Sequence, residues 1–255
     1  LFRSDNIQHR DRNGVIPAAE IVAWHDQMST YLKEIDPFQH IRTTSISHRD
    51  LEGLNSVKNL DINQKHIYNA THSVPGNIES YSKKFGKPYI IGEVGYEWDW
   101  SKNFDDFADG MNMDFRRGLW YGLFCPTPVT PMSWWWEWFD EHGMIPYIRN
   151  ARLISDMMLE AGDGRFEFLD TNKDGKAETY TVKCGKKTFV YVYNGNSTPL
   201  ESAKIELGKT GKVKVSKLDT ENAKLAKAVK VTADGTITLS ALGIAPLEDA
   251  VFVIE

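Results

Sequence analysis

The chain has 255 residues, a formal net charge of −5 and 41% hydrophobic residues. That length holds one large or two ordinary domains with a real core, and the mild acidity offers no basic footprint for nucleic acid. No apolar run approaches the length of a membrane span. Leu1 is not Met and opens no signal-peptide pattern, so a processed or truncated N-terminus is expected. Cys125 and Cys184 allow one disulfide bridge or none.

In chain order, Ile21, Trp24, Met28, Tyr31, Leu32 and Ile35 recur at three- and four-residue intervals. This spacing predicts an amphipathic helix over Pro17–Ile35, with Pro17 in its first turn and Asp36-Pro37 ending it. His40–Ser47 and Ile62–Tyr68 read as strands. Asn77 can cap a helix running to Phe85, stopped by Gly86 and Pro88. Tyr89–Glu93 is a third strand, Asp105–Leu123 a helix, Thr130–Trp138 a fourth strand and Ile145–Glu160 a last helix. Strands alternating with helices imply a parallel sheet with right-handed crossovers.

The character changes near Ala161–Gly164, after the last of eight tryptophans, Trp138. Period-two runs follow at Thr179–Val182, Thr188–Tyr193, Lys212–Val215, Thr236–Leu239 and Ala250–Ile254, which read as an all-β sandwich. The expected domains are therefore 1–163 and 164–255. A closed eight-stranded barrel takes about 250 residues, and four strand–helix units fall well short of it. An open piece would expose sheet edges. The fold class expected is α/β followed by all-β: a portion of a (β/α)8 TIM barrel, about strands 5–8, with an appended β-sandwich. The missing N-terminal half of the barrel is then a partner; a free-standing four-stranded domain is the alternative.

Glu93 is the first candidate for chemistry. It ends an apolar strand at the functional face of a parallel α/β fold, and Gly92 and Gly95 allow close approach. The other reading is a structural ion pair. His66 and Tyr68, two apart, point to one side with Ile62 and Gln64. A tyrosine hydroxyl beside a carboxylate can hold it ionised, and a buried His-Tyr pair is the plainer reading. In Trp134-Trp135-Trp136-Glu137-Trp138, strand parity groups Trp134 with Trp136, one face toward a cleft and one toward helices. Indole faces pack on the apolar face of a pyranose. Glu137 reads as orienting a sugar hydroxyl or bonding an indole N–H. His48, Asn69 and His72 lie in loops on the same face, either touching ligand or solvated. Asp170–Gly175 starts like a calcium loop, but its twelfth position is Thr181, so a turn is expected. There is no zinc spacing, phosphate loop or Ser-His-Asp signature, and no cofactor or metal is expected.

As an ordered set, His66-x-Tyr68, Gly92-Glu93-x-Gly95 and the following tryptophans resemble the second half of retaining TIM-barrel glycoside hydrolases. The resemblance is to the family 5 cellulase- and mannanase-like proteins and covers about residues 17–160. Trp24-His25, Tyr31-Leu32-Lys33, Asp36-Pro37 and Thr43-Thr44-Ser45 are similar to their fourth helix and fifth strand. The resemblance implies Glu93 as nucleophile, His66 and Tyr68 as its supports and sugar contacts, and a tryptophan of the 134–136 group as the sugar platform; with Glu137, Trp134 and Trp136 are the expected substrate-binding residues. It also implies an oligo- or polysaccharide substrate and a secreted or periplasmic location. The family's acid/base Glu follows an Asn at the end of strand four. If Leu1-Phe2 is the tail of that strand, Arg3-Ser4 stands in its place, and no Asn-Glu occurs in the chain. A non-catalytic carbohydrate-binding protein on a degenerate scaffold is the rival reading. A third possibility is that the β-sandwich binds sugar through Tyr180, Tyr191 and Tyr193.

Overall fold

A computed structural model describes residues 2–3, 16–46, 50–97, 101–169, 172–174 and 177–255. The chain gathers into two compact units, Leu1–Gly122 with Pro126–Trp136 and Leu123–Cys125 with Glu137–Glu255.

The first unit is parallel. β1 (Phe2–Arg3) pairs in parallel with β2 (Thr44–Ser45). β3 (Asn63–Tyr68) lies beside β2: Ile62 N–H donates to Arg42 C=O and His66 N–H to Ile46 C=O. β4 (Tyr89–Gly95) pairs in parallel with β3. Beyond β4, Val94 N–H donates to Met132 C=O at 2.8 Å, and Ser133 bridges Val94 in parallel. Five chain segments therefore run in one direction, in sequence order. β3 is buried on both faces at Gln64, His66 and Ile67, as befits a strand covered on both sides.

Helices connect these strands. α1 (Ala18–Ile35) turns Ile21, His25 and Ser29 inward. α2 (Val74–Phe85) buries Val74 and Ile78 and ends on Gly86 at φ +62°. It begins three residues before Asn77, whose amide donates to Ser73 C=O from inside the first turn rather than capping the helix. α3 (Ala108–Phe124) packs Gly118 against β4, where a Cβ would meet Val94 Cγ1 at 3.3 Å.

The expected strand over Thr130–Trp138 shrinks to Met132–Ser133, because Trp136–Glu141 forms a short helix, α4. Aromatic residues favour strands only where a neighbouring strand takes up their backbone groups. Pro128 and Pro131 lack the N–H groups that a longer ladder needs. With the strand gone, the parity that linked Trp134 to Trp136 no longer holds.

In the second unit α5 (Ile148–Gly162) buries Ala151, Ile154 and Met158. Eight antiparallel strands follow: β5 (Glu167–Phe168), β6 (Asn172–Asp174), β7 (Ala177–Cys184), β8 (Lys187–Asn194), β9 (Leu200–Asp219), β10 (Lys224–Leu225), β11 (Val229–Ile244) and β12 (Asp249–Ile254). Their order is β10-β9-β12-β8-β7-β5, with β11 on β9 and β6 on β7. Residues from both ends of β9, Ile205 and Val215, share one core with Val190, Ile237 and Phe252.

Candidate active site

Glu93 reaches its surroundings through an irregularity in β4. Lys65 is opposite Ile91, but His66 is opposite Glu93, so Gly92 is an extra residue, a β-bulge. One inserted residue reverses strand parity. Without it, Glu93 would point away from the face that carries His66 and Tyr68. Glycine leaves room for the Gln64 side chain: a Cβ at position 92 would run into the Gln64 amide oxygen, which would have to shift, and lie 3.3 Å from His66 Cδ2.

The result is a convergent cluster. The Tyr68 hydroxyl donates to Glu93 Oε2. His66 Nδ1 lies 3.0 Å from the same oxygen, with the side chains 4% and 13% exposed. Behind the imidazole, Ser45 Oγ sits 3.1 Å from His66 Nε2. Three adjacent strands thus supply the cluster, Ser45 from β2, His66 and Tyr68 from β3 and Glu93 from β4, and the Tyr68 hydroxyl and His66 Nδ1 meet one carboxylate oxygen in a largely dry setting, where hydrogen bonds are stronger than in water. The arrangement fixes the carboxylate's orientation and stabilises negative charge on it.

The loops after β3 and β4 are clasped by backbone bonds. Asn69, at φ +57°, donates its N–H to Gly95 C=O at 2.8 Å, and its side-chain oxygen accepts from Glu97 N–H at 3.0 Å. These bonds make Asn69 a clip between two strand ends. Trp135 donates its indole N–H to Tyr96 C=O at 2.7 Å and meets the Phe104 ring edge-on. A Cβ on Gly95 would be 3.8 Å from Trp135 Cδ1, so this indole lies at the end of β4. On α3, burial pushes the Asp114 carboxyl above its usual range, while Thr71, Arg117 and His72 pull it back.

The structure brings Glu93, His66 and Tyr68 together. Trp134 and Trp136 are 39% and 59% exposed, and Glu137 is an exposed residue of α4 that falls in the second unit. His72 is exposed in a short 3-10 turn. His48 and Ser4 lie outside the described residues, as do Asp170, Thr171 and Gly175, whereas Asn172–Asp174 form β6 and not a turn. Sequence reasoning held Trp135 within the 134–136 group and missed the roles of Ser45 and of the bulge. The bulge had a signal in the glycine before Glu93. Ser45 had none, because its role depends on the strand beside it.

A cleft of about 520 Å³ lies in the second unit, between the β7 face (Thr179, Thr181, Lys183) and the consecutive β9 residues Lys204–Gly208. Among the described residues its walls carry no aromatic ring. Tyr180, Tyr191 and Tyr193 are all buried, which removes the sugar platform they were expected to offer. Glu93 and its convergent neighbours, and not the largest described cavity, are therefore the candidate site.

No family model matches the chain, and no curated protein matches it significantly in sequence. Solved structures do. A glycoside hydrolase family 30 endoxylanase from Clostridium papyrosolvens aligns over 99% of this chain and 65% of its own, at 13% identity and a TM-score of 0.56. A family 5 glycoside hydrolase from Bacteroides vulgatus aligns over 94% and 67%, at 13% identity and a TM-score of 0.62. A family 44 endoglucanase from Clostridium thermocellum aligns over 100% and 66%, at 12% identity and a TM-score of 0.52. The likeness is one of fold. The chain shares a fold with these structures and spans 65%, 60% and 61% of three of those it matches. Among the described residues no helix is long and apolar enough to cross a membrane.

Proposed function

We propose that the chain is the nucleophile-bearing part of a retaining β-glycan hydrolase related to family 5, with Glu93 as nucleophile. One observation carries this reading: the carboxylate of Glu93 accepts the Tyr68 hydroxyl and meets His66 Nδ1 on the same oxygen. In that role the carboxylate attacks the anomeric carbon and forms a glycosyl-enzyme, which water then releases. Tyr68 and His66 hold the carboxylate's plane and stabilise its charge before attack and after departure. Trp135 offers the indole at the end of β4, and Trp134 and Trp136 offer exposed indole faces for further sugar units.

The acid/base carboxyl, about 5–5.5 Å from the nucleophile in a retaining enzyme, comes from polypeptide outside this chain on this reading, together with the remaining barrel strands. We keep the functional boundary at residue 163 and read 164–255 as an accessory β-sandwich, since both ends of β9 share one core. Secretion follows from a polysaccharide substrate. Replacing Glu93 with Ala in the full-length protein should lower release from an activated aryl glycoside on the order of 10³-fold or more. Undiminished turnover would remove Glu93 from the mechanism. If Leu1-Phe2 is the tail of strand four, Arg3-Ser4 stands in the sequence where the Asn-Glu pair is expected. This favours, as the second reading, a sugar-binding protein that has lost catalysis. It predicts glycan binding that survives Glu93→Ala and no turnover in either form.

A further inference from the structure

We propose that Ser45 is a positioning residue that fixes the tautomer of His66 and, through it, the Glu93 carboxylate. The proposal rests on the hydrolase reading only for its effect on turnover. Ser45, His66 and Glu93 stand on the adjacent strands β2, β3 and β4. Ser45 Oγ is 3.1 Å from Nε2, and Glu93 Oε2 is 3.0 Å from Nδ1, so the ring is held at both nitrogens. Ser45 and His66 are each 4% exposed, which leaves little room for water to substitute.

The chemistry of the ring decides the direction of each bond. A ring nitrogen facing a carboxylate must carry a hydrogen, because a lone pair there would repel it. A neutral imidazole has one N–H, so Nε2 is then an acceptor and needs a donor. The Ser45 O–H fits that need. A hydroxyl can also rotate and accept, so the same contact persists if the ring takes a second proton. Alanine would take this hydroxyl away from Nε2, a loss that costs the most where water is excluded. The ring would then shift toward the Nε2–H tautomer, turning its Nδ1 lone pair on Glu93. Tyr68, from β3, is the other donor to that oxygen and does not touch this choice.

The test is ¹⁵N NMR of the His66 ring in the full chain, assigned with a His66→Asn variant, alongside kinetics. The unaltered protein should show a protonated Nδ1 and a bare, hydrogen-bonded Nε2 near neutral pH. Ser45→Ala should shift the ring toward Nε2–H and lower kcat on the order of tenfold with KM little changed, by analogy with outer partners of metal-bound histidines. Ser45→Thr, which keeps the hydroxyl, should restore both. A bare Nδ1 or a doubly protonated ring in the unaltered protein would overturn the proposal, as would an unchanged ring spectrum in Ser45→Ala. Should Ser45→Ala fail to fold, the spectra of the unaltered and Ser45→Thr proteins still decide. Turnover unaffected by Glu93→Ala would sink the hydrolase reading and leave the tautomer assignment standing.

Discussion

Tyr68 and Gly92 carry the sharpest single-residue consequences. A hydrogen bond to a charged group contributes about 1.5–3 kcal/mol. If Glu93 is the nucleophile, Tyr68→Phe should lower kcat about 10- to 100-fold with the fold intact, checked by aryl-glycoside kinetics beside a thermal melt. Gly92→Ala acts by another route. Its Cβ meets the Gln64 amide, a buried side chain, so the bulge must deform or Gln64 must move. Overpacking of this kind costs about 1–3 kcal/mol, and chemical denaturation of Gly92→Ala should show that loss together with reduced turnover. A variant of unchanged stability would mean that Gln64 gives way freely.

At the level of elements, the start of β2 and the start of β3 are joined by a clasp. Arg42 donates Nε and Nη2 to the two Asp61 oxygens at 2.9 and 3.0 Å, and its own N–H to Oδ2 at 2.9 Å. The Arg42 guanidinium, by hydrogen bonding first, holds the Asp61 carboxyl below its usual range. A lowered native value means that the clasp stabilises the fold above the ordinary carboxylate range and fades as pH falls through the lowered value. Asp61 is 40% exposed, so solvent screening limits the contribution to about 0.5–1 kcal/mol. Asp61→Asn should lower stability by that amount at neutral pH and by less in acid, as urea melts at the two pH values will show. The clasp sets the relative heights of β2 and β3, and so bears on where Ser45 meets His66.

For the molecule as a whole, the chain's parallel strands stop short of a closed barrel, and the solved structures it resembles extend well beyond it. If the acid/base carboxyl lies elsewhere, Glu93 in residues 1–255 alone should still attack glycosides whose leaving group needs no proton. A dinitrophenyl glycoside should then label Glu93 and give a burst. A natural glycoside should react about 10²- to 10⁴-fold more slowly than in the full-length protein. Mass spectrometry of the labelled chain checks the first outcome and product release the second. Neither cysteine is in a disulfide and both are buried, and burial pushes the Cys184 thiol up to about 11. A thiol reagent should therefore label neither cysteine until the second unit is unfolded.

The sequence by itself determined the alternation of strands and helices in the first unit and the antiparallel strands in the second. Those patterns follow from side-chain periodicity within one segment, and Tyr89–Glu93 or Thr188–Tyr193 carry them openly. Glu93, His66 and Tyr68 were also legible, because each stands at the end of such a run. Other features needed neighbours. Whether Trp136 sits in a strand or a helix depended on what hydrogen-bonded its backbone, and Tyr180, Tyr191 and Tyr193 became core only when facing strands covered them. Above all, the side to which Glu93 points was decided by pairing β4 with β3, where one extra glycine changes the register. A residue's face is a property of the strand beside it, and no single stretch of sequence contains that strand.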